Sequence, residues 1–85
     1  MKNQQWLLYI IYSQSLDKYY SGITQNLEDR LLRHNQGRSL ATKSGKPWIM
    51  KYTETFSTRS EAQKREYQIK RKKSRKYIES LFHSG

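Results

Sequence analysis

The chain has 85 residues, enough for a single domain over 1–85 and too few for a second, with 17 Lys and Arg against seven Asp and Glu. Leu, Ile, Val and Phe total only 16 residues, and such scarcity with a net charge of +10 is typical of disordered chains. Seven Tyr and two Trp argue against disorder, because each can bury a large apolar area. The absence of cysteine excludes disulfides, thiolate zinc sites and a Cys nucleophile.

The positive charge is concentrated in the second half of the chain. Residues 1–42 have a net charge of +2, whereas residues 43–85 have a net charge of +8. A field of this sign on so small a body favours polyanions, nucleic acid before an anionic membrane. We therefore expect the surface that binds a polyanion to be mostly C-terminal.

Two strands are predicted first. Residues 6–13 are rich in aromatic and β-branched types with few polar positions, which predicts a central strand. A turn at 15–18 leads into a return strand over 18–23, so the pair reads as a hairpin. The first run faintly resembles a signal peptide, but it is short and lacks an Ala-x-Ala site, so we expect a cytoplasmic protein without a membrane partner.

A first helix is predicted to follow the hairpin. Asn26 can cap a helix over about 27–36, and Gly37 can end it in the left-handed conformation. The helical period places Leu27 and Leu31 in the buried stripe of this helix.

The remaining elements lie between residue 36 and the C-terminus. Residues 36–47 are polar with Gly and Pro and predict a mobile loop, and residues 48–56 predict a third strand. The capping box Thr58-Arg-Ser-Glu61 opens a second helix to about Lys72, and Ser74 can cap a short third helix. The order β-β-α-β-α-α predicts an α+β fold, a three-stranded antiparallel sheet flanked by helices.

Glu66 lies in the inward stripe of the second helix, four residues after Ala62 and three before Ile69. One interpretation is an ordinary helix-surface ion pair with Lys70 at i+4. The other is a ligand for Mg²⁺ or Mn²⁺, because a carboxylate facing a shared pocket can hold a hard cation while water and phosphate complete the shell.

Tyrosines on the two hairpin strands are either core aromatics or a pair of phenols that orient or deprotonate a water. Either Tyr19 or Tyr20 shares the face of Tyr9, depending on the register of the hairpin. Tyr9 and Tyr20 lie on the same face if each pair of directly opposed residues in the two strands has numbers that sum to an odd number.

Three further residues are candidates, and two of them, His34 and Gly22, have two interpretations. Arg30 and His34 lie one turn apart along the border of the buried stripe of the first helix. Arg30 suits a bidentate grip on phosphate, and His34 is either a proton carrier or a satisfied core residue. Gly22 either lets the backbone approach a ligand closely or is an ordinary turn glycine.

The segment 64–76 contains eight Lys or Arg and one acid, Glu66. Such a run is by default a solvated face, but Tyr67 and Tyr77 are interleaved, which favours contact with a nucleic-acid backbone. The residues predicted to make that contact are Lys64, Lys70, Arg71, Lys72 and Lys73.

Taken in chain order, these residues resemble the GIY-YIG nuclease domain in its short, single-domain bacterial form. The likeness covers about residues 6–72 and rests on four segments: Leu7-Leu8-Tyr9, Tyr20-Ser21-Gly22-Ile23-Thr24, residues 26–37 and residues 58–70. The family pattern has Gly-Ile in place of Leu7-Leu8 and Ile in place of Ser21. Many larger members also carry an asparagine downstream of the metal-binding glutamate, whereas the last Asn here is Asn35.

The resemblance implies a metal-dependent endonuclease that hydrolyses phosphodiester bonds in DNA, and few base-reading elements fit in so short a chain. It implies that Tyr9 is the general base or water-positioning group and that Tyr20 is the second motif tyrosine. It implies that Arg30 holds the scissile phosphate, with His34 one turn later, and that Glu66 binds one Mg or Mn ion.

Two other classes remain open. One is a non-catalytic or weakly catalytic nucleic-acid-binding module on the same scaffold. The other is a small RNA- or ribosome-associated protein, which fits the charge but not the four motif residues together. The substrate is expected to be branched, damaged or duplex DNA, RNA is not excluded, and protein partners are not predicted. Convergence of Tyr9, Tyr20, Arg30 and Glu66 on one pocket separates a nuclease from a binding module.

Overall fold

Apolar and aromatic runs in the sequence become strands, and capped polar runs become helices. A computed structural model describes residues 5–38, 40 and 42–83, so Ser39 and Ala41 of the predicted loop lie outside the described residues. The elements in this part are β1 (Trp6–Ser13), β2 (Lys18–Thr24), α1 (Leu27–Asn35), a 3₁₀ turn (Lys43–Gly45), β3 (Trp48–Phe56), α2 (Arg59–Lys72) and α3 (Arg75–Ser80). The predicted α+β fold and its element order are confirmed.

The sheet has the order β2-β1-β3 with both pairs antiparallel, so β1 is central as predicted. Tyr9 pairs with Gly22 and Ile11 pairs with Tyr20, so the paired numbers sum to an odd number. Tyr9 and Tyr20 therefore share one face, and Tyr19 points to the other. The register that the family resemblance requires is confirmed.

Each face of the sheet has its own apolar cluster. On the tyrosine face, defined by Tyr9, Ile11 and Tyr20, α1 packs through Leu27 and Leu31 as predicted. On the opposite face, which we call the helix-pair face, α2 and α3 cover the sheet. The residues packed there include Leu8 and Ile10 of β1, Ile69 of α2, and Tyr77 and Ile78 of α3.

A bulge in β3 lets this edge strand serve both clusters. Ile10 pairs with Tyr52, but the next residue, Ile11, pairs with Met50, so Lys51 is extra. One inserted residue exchanges the faces of all side chains beyond it. Met50 therefore lies on the tyrosine face and Tyr52 on the helix-pair face, although both have even numbers.

The predicted caps are confirmed. Asn26 Oδ1 accepts a hydrogen bond from Asp29 N at 3.0 Å, and Gly37 has a φ of +75°. Thr58 and Glu61 form the capping box, and Ser74 Oγ caps α3. No helix in the described ranges is long and apolar enough to cross a bilayer.

The second half of the loop predicted over 36–47 packs against the body of the protein, and its mobility stays a prediction. Thr42 is fully buried, and Gly45 lies against Trp48. The side chain of Asn35 accepts from Trp48 N at 2.5 Å and donates to Trp48 O at 3.2 Å. Trp48 Nε1 in turn donates to Thr42 O at 2.7 Å. Polar composition predicts a loop but cannot show that the Trp48 side chain bonds its backbone, or that Asn35 of α1 holds Trp48 in place.

Candidate active site

The phenol of Tyr9 crosses the neighbouring strand over Gly22, its direct partner in the sheet. A Cβ atom on Gly22 would lie 2.5 Å from Tyr9 Oη and 2.8 Å from Cζ, so no larger residue fits beneath the ring. The turn-glycine interpretation is wrong, because Gly22 lies within β2. The structure gives Gly22 a role that neither sequence interpretation contained, which is to make room for Tyr9.

His34 joins Tyr9 to the segment before β3. The residue is 2% exposed, its Nε2 lies 2.8 Å from Tyr9 Oη, and its Nδ1 lies 2.6 Å from Thr42 Oγ1. Tyr20 packs edge-on against the same ring, with centroids 5.4 Å apart. His34 is thus a satisfied core residue, and its partner is the tyrosine expected to act on water.

Burial controls the protonation of this pair. Burial raises the pKa of Tyr9 to about 12, nearby Tyr20 and Glu66 raise it as well, and the Arg30 side chain opposes the shift. Burial, and then the positive charge of Arg30, lowers the pKa of His34 below its ordinary value. At neutral pH the phenol therefore keeps its proton and the imidazole is uncharged.

An open cleft beside the pair is rich in arginine. Its volume is about 500 Å³, and its lining residues are Tyr20, Arg30, Arg33, His34 and Arg38. Planar guanidinium groups match the oxygens of a phosphate. Sequence reasoning named Arg30 but missed Arg33 and Arg38. The spacing of three residues between Arg30 and Arg33 on α1 was the available signal for Arg33.

Glu66 forms the ion pair of its first interpretation, and its role as a metal ligand stays a prediction. Its carboxylate is paired with Lys70 Nζ at 3.0 Å, its side chain is only 18% exposed, and its charge acts on Tyr9. The same ammonium lies 5.8 Å from the centroid of the Tyr20 ring. The structure therefore brings Glu66 close to Tyr9 and Lys70 close to Tyr20. The apolar residue Ile69 of the same helix nevertheless packs on the helix-pair face.

The donors present fit a single hard cation. The described residues contain no group of three or more His, Cys, Asp or Glu that could hold a metal ion, so a cage made by the protein alone is not built there. Glu66 offers one carboxylate whose charge acts on Tyr9, and Mg²⁺ commonly binds one or two carboxylates with water and phosphate oxygens.

The motif residues Tyr9, Tyr20, Arg30 and Glu66 thus come together around one phenol, with His34 beneath it. Sequence reasoning missed Thr42, which lies in a segment without a regular pattern. The roles of these side chains in catalysis stay predictions.

The residues predicted to contact nucleic acid divide into two groups. Lys70 is paired with Glu66 and lies near the Tyr20 ring. The others are exposed on α2 and at its C-terminal end, and they are Lys64, Arg71, Lys72 and Lys73. Lys72 Nζ lies 5.0 Å from the centroid of the Tyr77 ring, and Tyr67 beside it is 67% exposed. Contact with nucleic acid through this group stays a prediction.

Comparisons with known proteins agree with the geometry. A family model described as the GIY-YIG catalytic domain matches residues 5–78. A UPF0213 protein of Staphylococcus haemolyticus is 46% identical over 52 residues, which cover 60% of this chain and 63% of the relative. A UPF0213 protein of Desulfotalea psychrophila is 44% identical over 68 residues, covering 76% and 60%. One of Halobacterium salinarum is 40% identical over 65 residues, covering 75% and 83%.

The matched segment spans less than two thirds of the length of the first two relatives. No solved structure is significantly similar to the chain.

Proposed function

The chain belongs to the GIY-YIG family, and from this premise we propose that it is an endonuclease that hydrolyses phosphodiester bonds in DNA with one divalent metal ion. The family is of nuclease type and implies a nucleic-acid substrate. GIY-YIG nucleases generally use divalent metals. Metal dependence, DNA rather than RNA, and low sequence specificity belong to the proposal for this chain.

The observation that carries the proposal is the hydrogen bond between Tyr9 and His34 beside a cleft lined by three arginines. The arginines supply hydrogen-bond donors for a phosphodiester. The positive charge of Arg30 also lowers the pKa of Tyr9, against the larger effect of burial. The phenol of Tyr9 is hydrogen-bonded to His34, which lines this cleft, and this proximity supports a role as base for a water that attacks the phosphate. Tyr20 packs on His34 and lines the same cleft, so it can restrict the orientation of the water.

The proton path follows from the protonation states. The neutral phenol of Tyr9 passes its proton to His34 Nε2 as it accepts a proton from the attacking water. The water oxygen forms its bond to phosphorus while the bond to the leaving oxygen breaks. The leaving oxygen takes a proton from solvent water, and His34 returns its proton to solvent. Glu66 would hold the divalent ion, which would supply Lewis acidity against the negative charge that develops on the phosphate.

A variant of the metal ligand tests this function. Glu66→Gln should abolish Mg²⁺- or Mn²⁺-dependent cleavage of supercoiled, branched and single-stranded DNA, because the amide has similar size but lacks the charge that holds a hard cation. DNA binding and the thermal unfolding midpoint should change little, since the Lys70 left behind is about half exposed. Nicking assays, gel shifts and thermal melts measure the three properties.

The control is Glu28→Gln, which removes the same charge from an exposed position on α1. It should cleave at the wild-type rate. Wild-type cleavage by Glu66→Gln would refute the assignment of the metal ligand, and a wild-type protein that cleaves none of these substrates would refute the nuclease function.

A second candidate function is a nucleic-acid-binding module with weak or lost catalysis. The observation that favours it is the 3.0 Å ion pair, because the Lys70 ammonium competes with a cation for the carboxylate of Glu66. Binding without metal-dependent cleavage in the same assays would establish this alternative. The single-domain organisation and the cytoplasmic location stay predictions.

A further inference from the structure

Thr42 places a buried hydroxyl against the imidazole of His34. It lies between α1 and the 3₁₀ turn, and none of its surface is exposed. Its backbone oxygen accepts from Trp48 Nε1 at 2.7 Å, which holds the backbone in place. Its Oγ1 lies 2.6 Å from His34 Nδ1. The hydroxyl therefore has a defined position on the side of the ring opposite Tyr9.

The direction of the hydrogen bonds follows from the proton path of the proposed function. In that path the neutral phenol of Tyr9 donates its proton to a neighbouring acceptor. That neighbour is His34 Nε2, at 2.8 Å. A neutral imidazole carries one proton, so Nε2 accepts and Nδ1 holds the proton. Thr42 Oγ1 is then the acceptor for Nδ1–H.

We propose that Thr42 is a positioning residue that holds His34 in the Nδ1–H tautomer, so that Nε2 is free to take the proton of Tyr9. Thr42 acts through His34 and does not touch the substrate. The proposal rests on the nuclease function proposed above. A hydroxyl acceptor beside Nδ1–H also stabilises the imidazolium that forms when the proton arrives.

The competing explanation is that Thr42 only fills space beside Trp48. Two substitutions separate the explanations, because Thr42→Val keeps the branched shape and removes the hydroxyl, whereas Thr42→Ser keeps the hydroxyl and removes a methyl group. If Thr42 only fills space, both variants should lose DNA cleavage. If Thr42 acts as a hydrogen-bond acceptor, only Thr42→Val should lose it.

The first measurement reads the tautomer without any substrate. In uniformly ¹⁵N-labelled protein, the imidazole ¹⁵N shifts and their couplings to ring protons distinguish a protonated Nδ1 from a protonated Nε2. Wild type and Thr42→Ser should show His34 protonated at Nδ1, and Thr42→Val should shift it towards Nε2–H. His83, which is exposed, is the internal control and should be the same in all three proteins. Protonation of wild-type His34 at Nε2 would overturn the proposal, whether or not any variant folds.

The second measurement is single-turnover and steady-state cleavage of DNA with Mg²⁺ or Mn²⁺. Thr42→Val should lower kcat by roughly 10- to 100-fold, the loss typical of partners that orient an active-site imidazole. KM and DNA binding should be nearly unchanged, and Thr42→Ser should retain most of the activity. Wild-type kcat in Thr42→Val, or an equal loss in Thr42→Ser, would overturn the proposal. If wild type cleaves no DNA, the nuclease function fails, and the tautomer measurement still decides what Thr42 does.

Discussion

Gly22 and Tyr9 show how one missing side chain positions another. The Tyr9 ring lies across β2 because Gly22 has no Cβ to meet it. Gly22→Ala should therefore destabilise the protein by about 1–3 kcal/mol, the usual range for overpacking, and should reduce cleavage by displacing the phenol. Urea unfolding and nicking assays measure the two effects.

The control for this prediction is the same substitution in a Tyr9→Leu background. Without the phenol ring, the atoms closest to the added methyl group are gone, so its cost should fall. An equal cost in both backgrounds would show that the strain at Gly22 does not come from Tyr9.

His34 should make stability depend on pH. Its pKa is lowered in the folded state, mainly by burial and then by Arg30, from an ordinary value of 6.5. The unfolded chain therefore binds a proton more readily, so the free energy of unfolding is unaffected above 6.5 and falls as the pH decreases below it. Urea unfolding followed by Trp fluorescence at a series of pH values measures this slope.

Replacing either histidine identifies the source of the slope. His34→Gln should remove most of it, whereas His83→Gln, at an exposed position, should leave it in place. A slope that persists in His34→Gln would mean that another group controls stability in this range.

At the scale of elements, α2 carries two different surfaces on one helix. Ala62, Glu66 and Ile69 form the inward stripe, and the first and last of these are buried in the protein. Lys64 and Arg71 lie on exposed faces of the same helix. The helical period alone separates these sets, which is why sequence reasoning could predict both.

The outward surface of α2 should control the salt dependence of DNA binding. Replacing Arg71, Lys72 and Lys73 with Gln should weaken binding similarly for all sequences. It should also flatten the plot of log K against log salt by about 0.9 for each phosphate of duplex DNA that the variant no longer neutralises. Turnover at saturating DNA should change less, because these side chains lie outside the arginine-rich cleft beside His34.

The matched control replaces Lys43, Lys46 and Lys51 with Gln, which removes the same charge around the 3₁₀ turn and β3. This control should keep the wild-type slope in titrations by fluorescence anisotropy. The reverse result, with a flattened slope in the control and a wild-type slope in the α2 variant, would move the binding surface to that side of the molecule.

At the scale of the whole molecule, ion pairs occupy much of the acidic charge and leave cations in excess. Asp17 is paired with Arg75 at 2.7 Å, and Glu54 is paired with Arg65 at 2.9 Å. Asp29 is likewise paired on α1. The net charge of +10 is therefore carried mainly by exposed basic side chains, which suits steering towards a polyanion.

The sequence by itself determined the elements, their order and their caps. These features depend on neighbours within one turn or one strand, as in the capping box of Thr58 and Glu61. Chemical type marked Tyr9, Arg30 and Glu66 as candidates, and the resemblance to a family supplied their roles. The sequence left the hairpin register open, because the loop has no strong turn signal.

Only the tertiary structure decided the register, the bulge at Lys51 and the contacts of the site. Tyr9 and His34 are 25 residues apart, and no local pattern specifies their hydrogen bond. Thr42 lies in a polar stretch that predicts a loop, yet packing of Trp48 and Asn35 buries it. Local propensity acts over a few residues, whereas the site is assembled where β1, β2, α1 and α2 pack together. That packing, which depends on the two apolar clusters of the sheet, decides which side chains meet.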